Sequence, residues 1–316
     1  MPRRAVAFLL AFLPLVACER REVAPSDGRV RLVATTPMVA DVARAVGGER
    51  VAVTSLVGPG VDPHLFRPTR EAVAEIVAAD LVVVNGLHLE GKLGAALGRV
   101  EAAGRPVVAV AEAVPEERRL GDEGAHDPHV WMDASLWALT AAPVAEALAK
   151  VDPANADAYR ERAKAFEAAA IALDAELEAE LARIPADRRT LVTAHDAFGY
   201  LGRRHAIEVI GVQGLSTGSE AGLRDLEQTI ATIVERRIPA VFVETTVSPR
   251  TVEAIVAGAK ARGHAVRIGG TLYSDSTGPV GSGAETWEGM LRANVRAMVE
   301  GLGGSEADAR KETGDR

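Results

Sequence analysis

Residues 152–185 read DPANADAYRERAKAFEAAAIALDAELEAELARIP, and the chain organises itself around this stretch. No glycine or proline interrupts residues 154–183, which are rich in Ala, Glu and Arg. Such side chains lose little freedom in a helix, so the run predicts one long helix. Asp152 and Pro153 suit its start: the carboxylate can cap free N–H groups, and proline, lacking an N–H, fits the first turn. Tyr159, Phe166 and Leu173 recur every seven residues, and Leu177 and Leu181 follow at intervals of four. That spacing places them on one stripe, with charge around the rest. About 30 residues at 1.5 Å each give roughly 45 Å, longer than most packed helices. The helix reads as a strut between two lobes; a surface helix of a single domain fits the same residues.

Short β-branched apolar runs alternate with helical patterns on both sides of it. Before it, residues 31–35, 51–57, 81–84 and 106–110 read as strands. Helices run through Val39, Val42 and Val46 and over 71–79. After Pro185, strands are expected at 190–193, 208–212, 240–243 and 265–268, with helices near 223–236, 251–261 and 286–302. Continuously apolar strands between helices belong to parallel sheets covered on both faces. The expected class is therefore α/β, with four strands on each side of one long helix.

The full length is 316 residues, enough for two compact domains or one large one. An apolar share of 48 % with 25 % charged residues suits a globular chain and excludes wholesale disorder. The formal net charge is −8, which excludes nucleic-acid binding through basic surface and fits a cationic partner. Arg3 and Arg4 precede a nearly all-apolar run over residues 5–17, including Phe8, Leu9, Leu10, Phe12 and Leu13. About 13 residues fall short of the roughly 20 that span a bilayer, so residues 1–17 read as a secretory signal peptide. The run ends Leu15-Val16-Ala17-Cys18, small residues before a cysteine, the pattern of bacterial lipoprotein processing. Cys18 is the expected lipidation site; an ordinary cleaved signal with a chance cysteine is the alternative. Cys18 is the only cysteine, so the exported chain can form no internal disulfide. Residues 18–28 read as a lipidated tether and residues 304–316 as a disordered polar tail.

Two of the seven histidines sit in one repeated tripeptide, Asp62-Pro63-His64 and Asp127-Pro128-His129. Each follows a predicted strand of the first half. Proline fixes its own backbone and holds the preceding Asp extended, so the following His is placed rigidly. The aspartates can cap backbone groups or orient the imidazoles. His195 ends the strand Thr190-Leu191-Val192-Thr193-Ala194, and Asp275 follows the last strand through Gly269-Gly270-Thr271-Leu272-Tyr273-Ser274. All four lie beyond carboxyl ends of predicted strands, two in each half, where open parallel sheets bind ligands. If the halves face each other there, three imidazoles and one carboxylate converge, a set that suits zinc or another first-row ion. Each histidine taken singly is as readily a hydrogen-bonded structural residue.

Several stretches resemble the metal-binding solute receptors of bacterial ABC importers, of the ZnuA/TroA type. They are Val61-Asp62-Pro63-His64, Asn85-Gly86-Leu87-His88-Leu89-Glu90-Gly91, Asp127-Pro128-His129-Val130-Trp131-Met132-Asp133, Thr193-Ala194-His195-Asp196-Ala197-Phe198-Gly199-Tyr200, Phe242-Val243-Glu244 and Leu272-Tyr273-Ser274-Asp275. The resemblance covers nearly the whole chain after the signal. It implies two lobes, each with a four-stranded parallel sheet flanked by helices, spanning residues 29–152 and 185–303 and joined by one rigid helix at 153–184. It implies metal ligands at His64, His129, His195 and Asp275, and delivery to a membrane permease by a monomeric receptor anchored outside the cytoplasmic membrane. Two departures bear on the metal. Many dedicated zinc receptors carry a long His- and Asp-rich loop where residues 120–126 are short, and some carry a second-lobe disulfide that this chain cannot form. Both point to the branch that includes manganese receptors. That branch often has Glu where this chain has His195, which points back to zinc.

Glu244 ends a strand at the proposed crevice, where it could orient a ligand imidazole or simply cap a loop. His88 and His126 are candidates to sit behind the ligands or gate the site, or to be structural. His205 and His264 read as surface or loop residues, and Trp131, Trp137 and Trp287 as packing residues. Two enzyme readings compete. Gly214-Leu215-Ser216-Thr217-Gly218 matches a nucleophile elbow, with Asp225 and His264 in order behind it. A metal-dependent hydrolase would need an open coordination position and a general base. A surface adhesin with structural metal is the third class.

Overall fold

The computed structural model describes residues 28–122, 125–219 and 221–303. The expected signal peptide, Cys18, the tether before Gly28 and the tail at 304–316 lie outside them. The first half runs β1 (Val30–Ala34), α1 (Pro37–Gly47), β2 (Val51–Ser55), α2 (Arg70–Ala78), β3 (Leu81–Val84), α3 (Gly94–Ala102) and β4 (Val107–Ala109). A small hairpin, β5 (Gly121–Asp122) with β6 (Ala125–His126), precedes α4 (Ala134–Trp137) and α5 (Ala141–Val151). The long helix is α6 (Ala156–Leu181). The second half runs β7 (Thr190–His195), α7 (Gly199–His205), β8 (Glu208–Gln213), α8 (Leu223–Glu235), β9 (Ala240–Glu244), α9 (Arg250–Ala261), β10 (Arg267–Leu272) and α10 (Trp287–Gly301).

Both halves use one topology. The first is a parallel sheet in the order β2-β1-β3-β4. In the second, parallel ladders join β7 to β8 and β9 to β10, and β7 lies against β9, so the order β8-β7-β9-β10 repeats the first. At the carboxyl ends of β7 and β9 a side chain makes the link: the His195 N–H donates to Glu244 Oε1 at 2.9 Å. β3 reads Leu-Val-Val-Val and is buried at every position, as a strand covered on both faces must be. Helix starts follow local chemistry. Thr36 and Thr286 accept N–H bonds from Val39 and Gly289, and Pro37 occupies the first turn. β10 extends past the expected 265–268 to Leu272. Gly269 and Gly270 are strand residues, and a Cβ at Gly269 would meet the Phe242 ring at 2.8 Å, so glycine is the residue that fits there.

α6 has 26 residues and so spans about 39 Å. It begins later than the sequence suggests: Pro153–Asn155 forms a 3-10 turn, and Asp152 caps no backbone group there. Its Oδ2 instead accepts from the Asn155 amide and the Tyr159 hydroxyl, both at 2.7 Å. Tyr159, Phe166, Leu173, Leu177 and Leu181 are all buried, so the predicted stripe is the packed face. α6 packs on α1, α4 and α5 of the first half and on α10 of the second. Arg292 of α10 holds Glu176 in a two-bond fork at 2.8 and 2.9 Å, and Arg204 of α7 pairs with the buried Asp174. The helix is thus fastened to both lobes. Trp131, Trp137 and Trp287 are buried packing residues, with successive ring centroids 6.4 Å apart. No helix among the described residues is long and apolar enough to cross a membrane.

Candidate metal centre

The two Asp-Pro-His turns are built alike. The Asp62 Oδ1 accepts the His64 N–H at 2.8 Å, and the Asp127 Oδ1 accepts the His129 N–H at 2.9 Å. Each carboxylate closes a tight turn that proline has already stiffened. They differ in surroundings. The first turn follows β2 of the main sheet. The second follows the hairpin β5–β6 rather than β4 directly, because 3-10 turns and that hairpin intervene. His195 is the last residue of β7, and Asp275 lies just beyond β10.

The structure brings all four side chains together. One ligating atom from each of His64, His129, His195 and Asp275 lies within 4.8 Å of every other. The His64 and His129 Nε2 atoms are 3.3 Å apart. The His129 Nε2 is 3.3 Å from Asp275 Oδ1, and the His195 Nε2 is 3.3 Å from Asp275 Oδ2. His129, His195 and Asp275 have no exposed surface, and His64 is 9 % exposed. Two of these buried atoms, the His195 Nε2 and the Asp275 Oδ1, have no hydrogen-bond partner of their own. Buried polar atoms normally find one, so inward-facing orphans around a common point are what a cation would satisfy.

Carboxylates stand behind two of the imidazoles. Asp127 Oδ1 is 2.7 Å from the His129 Nδ1, and Glu244 Oε2 is 2.5 Å from the His195 Nδ1. Asp127 is hydrogen-bonded to the His129 Nδ1 and can hold the proton there, turning the Nε2 lone pair to the centre; Glu244 lies against the His195 Nδ1 as an ion-pair partner, close enough to favour the proton on that nitrogen. Glu244 is therefore placed for the orienting role. Asp127 combines its backbone role with the same one. Without a cation the cluster polarises itself. Burial opposes charge on His129, but Asp127 and Asp275 outweigh it and push its pKa up to about 9. His195 is likewise raised well above its ordinary value, since Asp275 and Glu244 outweigh burial. Burial lowers His64 to about 4, with the neighbouring imidazoles adding to the effect. Burial also opposes the Asp275 charge, but His195 and His129 hold its pKa well below the usual carboxylate range.

The remaining candidates lie elsewhere. His126 is not part of the cluster; its Nε2 is 3.9 Å from Glu116, and it lines a cavity of about 490 Å³ together with His88. His264 donates from its Nε2 to the Ile238 backbone oxygen at 2.8 Å. His205 is buried at the end of α7, 3.7 Å from the buried Asp174 of α6, rather than on the surface. The serine-hydrolase arrangement does not form. Ser216 Oγ accepts the Gly218 N–H in a loop, and among the described residues the next helix begins at Leu223. Thr246, absent from the sequence reading, places its Oγ1 3.5 Å from Asp275 Oδ2. Its one legible signal is a position just past β9.

Two α/β lobes on a common helix, with three imidazole nitrogens and a carboxylate meeting at the strand ends, have the architecture of a metal-ion receptor. The profile of the family described as "Zinc-uptake complex component A periplasmic" matches residues 32–301, and the chain belongs to that family. The manganese-binding lipoprotein MntA of Bacillus subtilis is 41 % identical over 299 residues, covering 94 % of this chain and 97 % of that one. The metal ABC transporter substrate-binding lipoprotein ScbA of Streptococcus cristatus is 27 % identical over 309 residues, 95 % of this chain and 98 % of its own. The solved periplasmic zinc-binding protein TroA of Treponema pallidum superposes with a TM-score of 0.84 at 40 % identity, covering 87 % of this chain and 99 % of that one. By their descriptions two of these bind a metal and the third is the substrate-binding lipoprotein of a metal ABC transporter, and the family is one of solute-binding proteins rather than enzymes.

Proposed function

We propose that this chain captures one divalent first-row metal ion between its lobes, with zinc as the preferred cargo, and hands it to the permease of an ABC importer. The reading rests on one observation: three Nε2 atoms and the Asp275 carboxylate, drawn from both lobes, converge in a buried cluster. His64 and His129 supply two donors from the first lobe; His195 and Asp275 supply two from the second. Neutral imidazole is the ligand form, so Asp127 and Glu244, by keeping the proton on Nδ1, leave Nε2 free for the ion. Borderline-soft nitrogen donors suit zinc in four-coordinate geometry. Manganese prefers oxygen donors and stands lowest in the affinity order, so zinc is the tighter ligand even where the cell imports manganese. Four protein donors leave no position for a reacting water, and for that reason the metal-dependent hydrolase reading is set aside.

Upstream, the Cys18 lipid would anchor a monomeric receptor at the outer face of the membrane, with residues 29–152, 153–184 and 185–303 as lobe, strut and lobe. Native mass spectrometry of demetallated protein offered zinc and manganese together tests the cargo. One zinc per chain is expected; manganese in preference to zinc, or no stoichiometric ion, refutes the reading. His195→Glu exchanges a nitrogen donor for an anionic oxygen donor, so the zinc-to-manganese affinity ratio should fall. An unchanged ratio removes His195 from the ligand set.

A further inference from the structure

His129 sits at the centre of the cluster, within 3.3 Å of both His64 and Asp275, so its placement decides whether the donors meet. The turn that carries it is gripped through its two preceding carbonyls. Asn85, fully buried at the end of β3, donates from Nδ2 to the Pro128 oxygen at 3.0 Å. Tyr200, fully buried on α7, donates from its hydroxyl to the Asp127 oxygen at 3.0 Å. The same hydroxyl accepts the Leu120 N–H at 3.0 Å, so it also fixes the start of the loop that ends in His129.

The two grips come from different lobes. Asn85 is set by its own support. The buried Glu90 carboxylate accepts the Asn85 N–H at 2.6 Å, the Gly86 N–H at 3.1 Å and the Thr35 hydroxyl at 2.6 Å. Between them the chain makes a left-handed turn, with φ of 87° at Gly86, 50° at Leu87 and 65° at His88. Left-handed backbone is unfavourable for Leu and His, and persists only where the surroundings over-determine it. Tyr200 follows His195 by one loop, so it ties the second lobe's ligand segment to a first-lobe ligand turn.

We propose that Tyr200 and Asn85 are positioning residues for metal capture: they clamp the Asp127–Pro128 carbonyls from opposite lobes and so hold His129 in register with His195 and Asp275. The assignment rests on the metal-receptor reading above. It makes the second lobe part of the support for a first-lobe ligand, so that tilting the lobes apart pulls on His129 through Tyr200 as well as separating the donors.

Tyr200→Phe removes one hydroxyl and keeps the ring packing. Zinc affinity should fall about tenfold and zinc dissociation accelerate by a similar factor, the scale on which outer partners of ligands act. Asn85→Ala should act in the same direction. In a His129→Ala background, Tyr200→Phe should add no further loss of affinity, and in the single variant the zinc absorption edge should show a disordered nitrogen shell. A hydroxyl with only a structural role would lower the metal-free and zinc-loaded melting temperatures equally and leave affinity untouched; that result overturns the proposal. Equal affinity losses in wild-type and His129→Ala backgrounds overturn it too. Failure of the unmodified protein to bind zinc would instead refute the receptor reading.

Discussion

Replacing Glu244 with Gln tests the site through a group that touches no ion. Glu244 uses one oxygen to accept the His195 N–H at 2.9 Å and sets the other 2.5 Å from the His195 Nδ1. A glutamine that keeps the backbone bond must present its NH₂ to Nδ1. That nitrogen then becomes an acceptor, and the ring proton moves to Nε2, the atom facing Asp275 Oδ2 at 3.3 Å. In that tautomer His195 cannot bind a metal. Recovering the ligating form means facing two donors together or giving up the backbone bond, both in a site with no exposed surface. Loss of such an outer partner weakens metal sites by about 10- to 100-fold, or about 1.4 to 2.7 kcal/mol. The assay is a competition titration against a chromophoric zinc chelator at fixed pH, with melting of the metal-free protein as the folding control. Wild-type zinc affinity in a folded Glu244→Gln protein would refute the tautomer argument.

Three further outcomes follow from the same geometry. His64→Ala removes a donor outright and should weaken zinc binding by at least about 100-fold in calorimetry, more than the loss of an outer partner; wild-type affinity would remove His64 from the site. Metal must displace protons from His129, at about 9, and His195, raised well above its ordinary value, so affinity should climb with pH through that range. The same raised values stabilise the metal-free fold below the unfolded histidine pKa and lose that contribution as pH rises through about 9. The melting-temperature gap between zinc-loaded and metal-free protein should therefore widen with pH, and a constant or narrowing gap contradicts the protonation scheme. Cys18→Ala protein should leave the membrane fraction or stay unprocessed, read by fractionation, because lipid chains supply the anchoring energy; a processed variant retained on the membrane would show another anchor.

Much of the fold was legible because parallel strands buried on both faces are continuous apolar runs, as residues 81–84 are, and because the stripe of α6 is regular over its full length. Elements with mixed signals were not. α3 and α7 each contain two glycines, α5 carries Pro143 in its first turn, and none of the three has a helical signature that stands clear of its neighbours. β10 was cut short at Ile268 because paired glycines read as loop; only contact with Phe242 and Ala297 shows why strand residues there must be glycine. At the site, the duplicated tripeptide exposed His64 and His129, and strand-end position exposed His195 and Asp275. Strand-end position also marked Glu244 as a residue that could orient an imidazole, but that His195 is its partner depends on β7 lying beside β9, a tertiary fact with no local trace. The Tyr200 and Asn85 bonds to the His129 turn are of the same kind: each joins residues more than 40 positions apart.

The division of donors between lobes bears on how a tightly held ion can leave. On the proposed ligand set each lobe brings two donors, so a small relative displacement would withdraw two bonds at once. α6 limits that displacement. Without glycine or proline in its 26 residues, and fastened by Arg292–Glu176 and Arg204–Asp174, it favours slight bending over wide hinge closure. The lobes also meet directly. Trp131 donates from Nε1 to the Ser274 oxygen at 2.8 Å, the Gly60 N–H reaches Ser276 at 2.8 Å, and Thr217 reaches Asp62 at 2.5 Å. Each of these bonds joins a ligand-bearing loop to the opposite lobe. They can be exchanged one by one for water or for groups of a docked partner, each at modest net cost, whereas the metal bonds are strong and few. On the proposed function, a permease docking at the crevice would compete with these weak bonds first, and the resulting tilt would separate His64 and His129 from His195 and Asp275.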